Sequence, residues 1–172
     1  MIDSCAPCHA RRRPLVDGAE PGGALLDTHQ VEWIRDPLYF PDGQIRDEVY
    51  VYGSFLQSKM HAAGVRCTDC HDPHTAKLRA PGKSLCATCH DPSHFDSPNH
   101  HFHPGDGPGS SCIDCHMPER VYMGIDRRHD HSFRVPRPDL ARMTGAPDTC
   151  TSCHENRSPE WASEQITLAR DG

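Results

Sequence analysis

Gly64–His90 reads GVRCTDCHDPHTAKLRAPGKSLCATCH and holds two Cys-x-x-Cys-His motifs, Cys67/Cys70/His71 and Cys86/Cys89/His90. Cys-x-x-Cys-His is the signature of covalent haem attachment: two thiols add to the vinyl groups of one porphyrin, and the adjoining imidazole reaches its iron. The spacing is a geometric requirement, because both sulfurs must meet one porphyrin edge while the imidazole swings beneath the ring. Outward from this stretch the motif recurs at Cys5/Cys8/His9, Cys112/Cys115/His116 and Cys150/Cys153/His154. Five motifs predict five c-type haems, with His9, His71, His90, His116 and His154 as proximal ligands.

Two other readings of the cysteines compete. The fifteen residues between Cys70 and Cys86 fit the spacing of a zinc ribbon. Yet all ten cysteines lie in five pairs, and His follows every pair. With 14 His among 172 residues, five of five has a chance on the order of 10⁻⁶. Zinc has no use for a His at that fixed place. Disulfides within Cys-x-x-Cys are usually redox-active pairs rather than structural staples, and five in one chain would be unusual.

The 172 residues suggest one domain or two small ones; we expect a single five-haem domain over 1–172, with a first haem and a long helix in 1–64 and a four-haem part in 65–172. An apolar fraction of 35% with 13 Gly and 16 Pro is lean for a conventional core. Buried porphyrins resolve this, each bringing a large apolar surface and two tethers, so the haems are the expected core. The formal charge is −6 before any propionates are counted, which argues against nucleic-acid binding. No run of 18 apolar residues predicts a transmembrane helix. No signal peptide is visible within the sequence, whose first motif lies in MIDSCAPCH. Since c-type haems are attached outside the bacterial cytoplasm, we expect an exported, periplasmic or extracellular protein, and a segment of a longer precursor.

Along the chain, Arg11–Arg13 reads as a partner for propionates or a solvated loop, with a docking patch as the alternative. A loop rich in Pro and Gly follows to residue 23. Leu25–Trp33 suggests a helix start with Asp27 or Thr28 as N-cap and His29 beside it. Ile45, Val49, Tyr52, Leu56 and Met60 recur at helical steps and predict a helix over Gln44–Ala63, with His61 in its last turn and Gly64 after it. His100 and His103 are three apart, so on a helical turn they share a face and serve two neighbouring haems, or one haem and a propionate. His131 is preferred to His129 as a ligand because Phe133 follows it. Ser158-Pro159 starts a closing helix.

Nine His lie outside the motifs, at 29, 61, 74, 94, 100, 101, 103, 129 and 131, and five haems with two imidazoles each need five of them. The candidates for the distal iron position are His61, His74, His100, His103 and His131, with His29 next. Met60, Met117 and Met123 are near motifs by sequence alone. Ring N–H bonds to carbonyls or to the many Asp beside the motifs are expected to fix each tautomer.

CTDCHDPHT…LCATCH resembles the paired module of multihaem c-type cytochromes. HHFHPGDGPGSSCIDCHMP and DHSFRVPRP resemble segments of the group that includes cytochrome c554 and pentahaem nitrite reductase. Together with GQIRDEVYVYGSFLQSKM they look like larger exported cytochromes with further haems upstream and tetratricopeptide repeats downstream. The chain departs from nitrite reductase in carrying His, never Lys, in its motifs. The resemblance and the motifs together imply a mostly α and irregular fold packed around haems, with little or no β-sheet. The function expected is electron transfer between redox donor and acceptor proteins, with other copies of the chain as further partners in a haem chain. The alternative is a multihaem reductase of a small nitrogen or sulfur oxyanion, with one open-coordination haem and spare imidazoles as proton donors.

Overall fold

The computed structural model describes residues 2–18 and 22–171. Residues 19–21 of the expected Pro/Gly loop and the terminal Gly172 lie outside them. Among the described residues, short helices alternate with irregular chain. They run α1 (Ile2–His9), α2 (Leu25–Thr28), α3 (Tyr52–Leu56), α4 (Lys59–Ala62), α5 (Cys67–Cys70), α6 (Lys83–Cys86), α7 (Pro92–Phe95), α8 (Pro98–His101), α9 (Cys112–His116), α10 (Pro138–Thr144) and α11 (Pro159–Asp171). Two antiparallel ladders complete the fold, β1 (Arg12–Pro14) on β2 (His29–Val31) and β3 (Glu119–Tyr122) on β4 (Asp126–His129). The architecture is helical and irregular with little sheet.

The closing helix begins as its sequence dictates. Pro159 occupies the first helical position, where a missing N–H costs nothing, and Ser158 Oγ accepts the Trp161 N–H at 3.3 Å. Its buried residue is Ala162, and α11 packs on α10.

The long helix expected over Gln44–Ala63 does not form. Residues 44–51 are irregular, α3 and α4 are separate single turns, and Ser58, in extended conformation, caps α4 by accepting the His61 N–H at 3.0 Å. Tyr50 sits at φ 60, and its N–H turns to Glu48 Oε1 instead of an intrahelical carbonyl. Only part of the apolar stripe is core: Leu56 is exposed, whereas Ile45 and Val49 gather with Leu38, Tyr39 and Tyr122. Tyr52 packs separately with Ala6, Ala10 and Leu25. His29 likewise lies on β2 rather than at a helix start. The cap of α2 is Ala24, not Asp27 or Thr28, and Thr28 Oγ1 instead meets His29 Nδ1 at 2.9 Å.

These two clusters are small for 172 residues, and the surface is correspondingly large. A folded chain of 19.2 kDa should expose about 8,400 Å², whereas this one exposes 11370 Å². Roughly 2,900 Å² of additional surface is open, with Leu78, Phe102, Val121 and Val135 among the exposed apolar side chains.

Candidate haem sites

Each motif folds as one helical turn. His71 N–H donates to Cys67 O at 2.8 Å, His90 to Cys86 O at 2.9 Å and His154 to Cys150 O at 2.9 Å, while the first and fourth motifs lie within α1 and α9. Cysteines at i and i+3 therefore share a face, and the His one residue on turns beside them. That is the arrangement two thioethers on one porphyrin edge and one imidazole below it require. None of the ten cysteines is paired in a disulfide. Among the described residues no three His, Cys, Asp or Glu side chains converge as a zinc site needs.

Burial divides the thiols. In the second and fourth motifs both cysteines are half-buried, but Cys8, Cys89 and Cys153, the second thiols of the first, third and fifth motifs, are exposed. The motif histidines beside these three thiols, His9, His90 and His154, are exposed as well, against the expectation of haems enclosed by the chain. At Cys8 the local structure shows why. The cause is the helix period: Ala6 and Ala10 turn into the cluster with Leu25 and Tyr52, and Cys8, two residues from each, points the other way. At these three positions the polypeptide supplies a tether without a wall.

The motifs neighbour one another in chain order. Burial, then the adjacent Cys5, raises the Cys67 thiol pKa. Burial, then Cys112, pushes Cys86 up to about 11, with Cys70 contributing further. Cys89 acts on Cys70, and Cys153 on Cys115. Burial first, then Asp148 and Cys115, pushes Cys150 up to about 11. The motifs are thus neighbours in space, first to second, second to third, third to fourth and fourth to fifth, and the short links join the second, third and fourth.

Three motif imidazoles stand opposite a second imidazole. Ring centres are 6.4 Å apart for His71 and His131, with planes 26° apart. They are 6.0 Å apart for His116 and His100, with planes 18° apart, and 6.1 Å for His154 and His103, with planes 27° apart. A metal midway, with a nitrogen of each ring turned toward it, would lie about 3 Å from each centre and about 2 Å from each nitrogen, the length of an imidazole–metal bond. The spacing of the pairs fits an iron between them.

Hydrogen bonds set the tautomers. Nδ1 of His71 meets Ala76 O at 3.1 Å, His116 meets Arg134 O at 2.8 Å and His131 meets His129 O at 2.9 Å. Nδ1 of His103 meets His101 O at 2.5 Å. A carbonyl can only accept, so these nitrogens carry the proton and Nε2 is left free to bind metal. The Asp residues expected in this role do other work. Asp91 caps α7 through Ser93 N–H at 2.9 Å. Asp72 closes a turn on Thr75 N–H at 2.9 Å, and that bond holds its carboxyl below the usual range. Asp148 receives the N–H groups of Cys150 and Thr151, both at 3.0 Å.

The other candidates are placed differently. His61 meets Phe55 edge-on at 5.5 Å, and Phe55 continues to Phe133 at 6.3 Å and so to His131. His74 is exposed in the Asp72 turn, and His29 is held by Thr28. His90 meets Phe95 edge-on at 5.2 Å. His100 and His103 do not share a helical face, because Phe102 between them is left-handed at φ 62 and sends the two rings to different motifs.

Sequence reasoning missed Arg134 and Gly109. Arg134 ties the 129–134 strap down, donating to Asp42 O at 2.7 Å, Gln57 Oε1 at 2.9 Å and Ser132 Oγ at 2.9 Å while its own carbonyl takes His116. At Gly109 (φ +84) a Cβ would lie 2.6–2.8 Å from three atoms of the His103 ring, so only glycine leaves that ring its place. Neither residue has a local sequence signal beyond Gly109's turn context.

Comparison with known proteins agrees with this chemistry. The doubled CXXCH motif family matches residues 60–95, and the cytochrome c552 family matches residues 99–171. The solved outer cell wall cytochrome OcwA shares the fold, with a TM-score of 0.70 at 20% identity over 95% of this chain. The chain spans 50% of OcwA's length. No curated protein matches it by sequence. With haem-attachment turns throughout, a doubled CXXCH module and a cytochrome c552 segment beyond it, the chain is a multihaem c-type cytochrome.

Proposed function

We propose that the chain is an electron carrier in which five covalently held c-type haems form a row, most or all of them ligated by two imidazoles. The observation that carries this reading is the three opposed imidazole pairs at 6.0–6.4 Å. The haem irons, when bound, supply one-electron redox chemistry. The chain's residues do the rest. Ten cysteines tether, five motif His ligate from one side, and backbone carbonyls hold the imidazoles with Nε2 toward the metal. Cys8 keeps its role as a tether, and its exposure suits a first haem at an open end of the row, where an electron enters or leaves. His131, His100 and His103 serve from the other side, filling the position a substrate would need. His61, His74 and His29 remain for His9 and His90. Contacts between successive motifs support electron passage in chain order, with a donor or acceptor protein, or another copy of the chain, at each end.

Among the described residues no helix is long and apolar enough to cross a membrane. Attachment chemistry supports export to the periplasm or beyond. The reductase alternative has two observations in its favour: His90 faces a phenyl edge and no second imidazole is paired with His9 among the described ring contacts, either of which would suit an iron with an open sixth position. Titrating the oxidised holoprotein with cyanide and nitrite separates the two. A carrier with filled irons shows no stoichiometric change in the haem spectrum and no nitrite turnover. A one-to-one cyanide complex with turnover makes the chain a reductase.

A further inference from the structure

His101 ends α8 between two imidazole pairs, His100 with His116 on one side and His103 with His154 on the other. Its Nδ1 accepts the backbone N–H of His103 at 3.3 Å. A nitrogen that accepts is unprotonated, so in the neutral ring the proton sits on Nε2. That Nε2 is buried and has no hydrogen-bond partner among the described residues. The backbone fixes this arrangement, since left-handed Phe102 folds His103 back so that its ring also bonds the His101 carbonyl. A buried donor without an acceptor is costly, and native folds rarely hold one without a use.

We propose that His101 Nε2–H is a positioning donor that binds a propionate carboxylate of the haem at the fourth or fifth motif. A haem tethered through its vinyl groups has methyl and thioether substituents elsewhere on its rim, and its propionates are the strong acceptors it presents. His101 is not an iron ligand, because the nitrogen free to reach inward carries the proton. By drawing on the carboxylate's negative charge, the donor favours the ferrous state of the nearby iron. The inference rests on the two-imidazole reading of His100/His116 and His103/His154.

The test is an EPR-monitored potentiometric titration of the holoprotein, wild type against His101→Phe and His101→Gln. His100→Gly and His103→Gly mark the two haems by converting their low-spin signals. His101→Phe should keep every low-spin signal and lower one marked midpoint by about 59 mV, a tenfold change in that redox equilibrium. His101→Gln, which keeps an N–H, should restore most of it. Unchanged midpoints in His101→Phe, or equal shifts in both variants, overturn the proposal. So does loss of a low-spin signal in both, which would make His101 a ligand. If His101→Phe fails to load its haems, the smaller donorless His101→Leu takes its place with the same outcomes. Should His100→Gly and His103→Gly leave the wild-type spectrum unaltered, the two-imidazole reading fails instead, a result visible before any His101 variant is measured.

Discussion

His131, His100 and His103 each stand one imidazole–metal–imidazole span from a motif histidine, so each should be worth one iron's spin state. Replacing any one of them by Gly is expected to turn one low-spin haem high-spin while the other signals persist, as EPR would record. An unchanged spectrum would remove that residue as a ligand. Gly109→Ala should have the same effect as His103→Gly, because its methyl would collide with the His103 ring. The left-handed backbone there adds about 1–2 kcal/mol of strain. Arg134→Ala removes three donated bonds that hold the 129–134 strap and should cost roughly 1–3 kcal/mol, measurable by denaturant unfolding. These residues were unevenly legible. The motif Cys and His follow from spacing, whereas the exposure of Cys8 depends on which face of α1 the two alanines bury. The distal His were only a surplus to be counted, because a distal ligand can come from any segment that returns to the iron.

At the scale of elements, the segment 129–134 joins two sites. His131 answers the second motif, and the Arg134 carbonyl orients the proximal His116 of the fourth. The β3–β4 ladder and the cluster around Tyr39 and Tyr122 anchor it, with Asp130 buried beneath. Burial first, then the charge of Asp130, pushes Tyr39 up to about 12; burial pushes Tyr122 to about 12 as well. In the unfolded chain a tyrosine ionises near 10. The unfolded state therefore loses protons first as pH rises, and stability that is intact below pH 10 should fall between pH 10 and 12. Tyr39→Phe should flatten that decline in a series of thermal melts, and an identical decline would show that the buried phenol is not its source. The same region shows why the helix over 44–63 misled. Its apolar spacing is helical, but Ile45 and Val49 join one cluster, Tyr52 another and Leu56 faces out, and left-handed Tyr50 and the Ser58 cap break the turn at positions that are neither Gly nor Pro. Propensity is a weak prior when tertiary packing already buries the same residues.

Over the whole molecule, the polypeptide closes two small clusters and leaves far more surface than a folded chain of its mass should. Composition had indicated this, since a lean apolar fraction with many Gly and Pro cannot form a core alone. The chain produced without haem attachment should therefore be proteolysed rapidly and unfold without a cooperative transition. A sharp melt of haem-free chain would contradict a haem-built core. The row of motifs and their two-imidazole ligation stand or fall together on one measurement, the low-temperature EPR spectrum of the oxidised holoprotein, quantified against its haem content. The account predicts five haems per chain and low-spin signals that sum to that number. A high-spin signal amounting to a full haem per chain would contradict a row of filled irons and make at least one of them a site for chemistry.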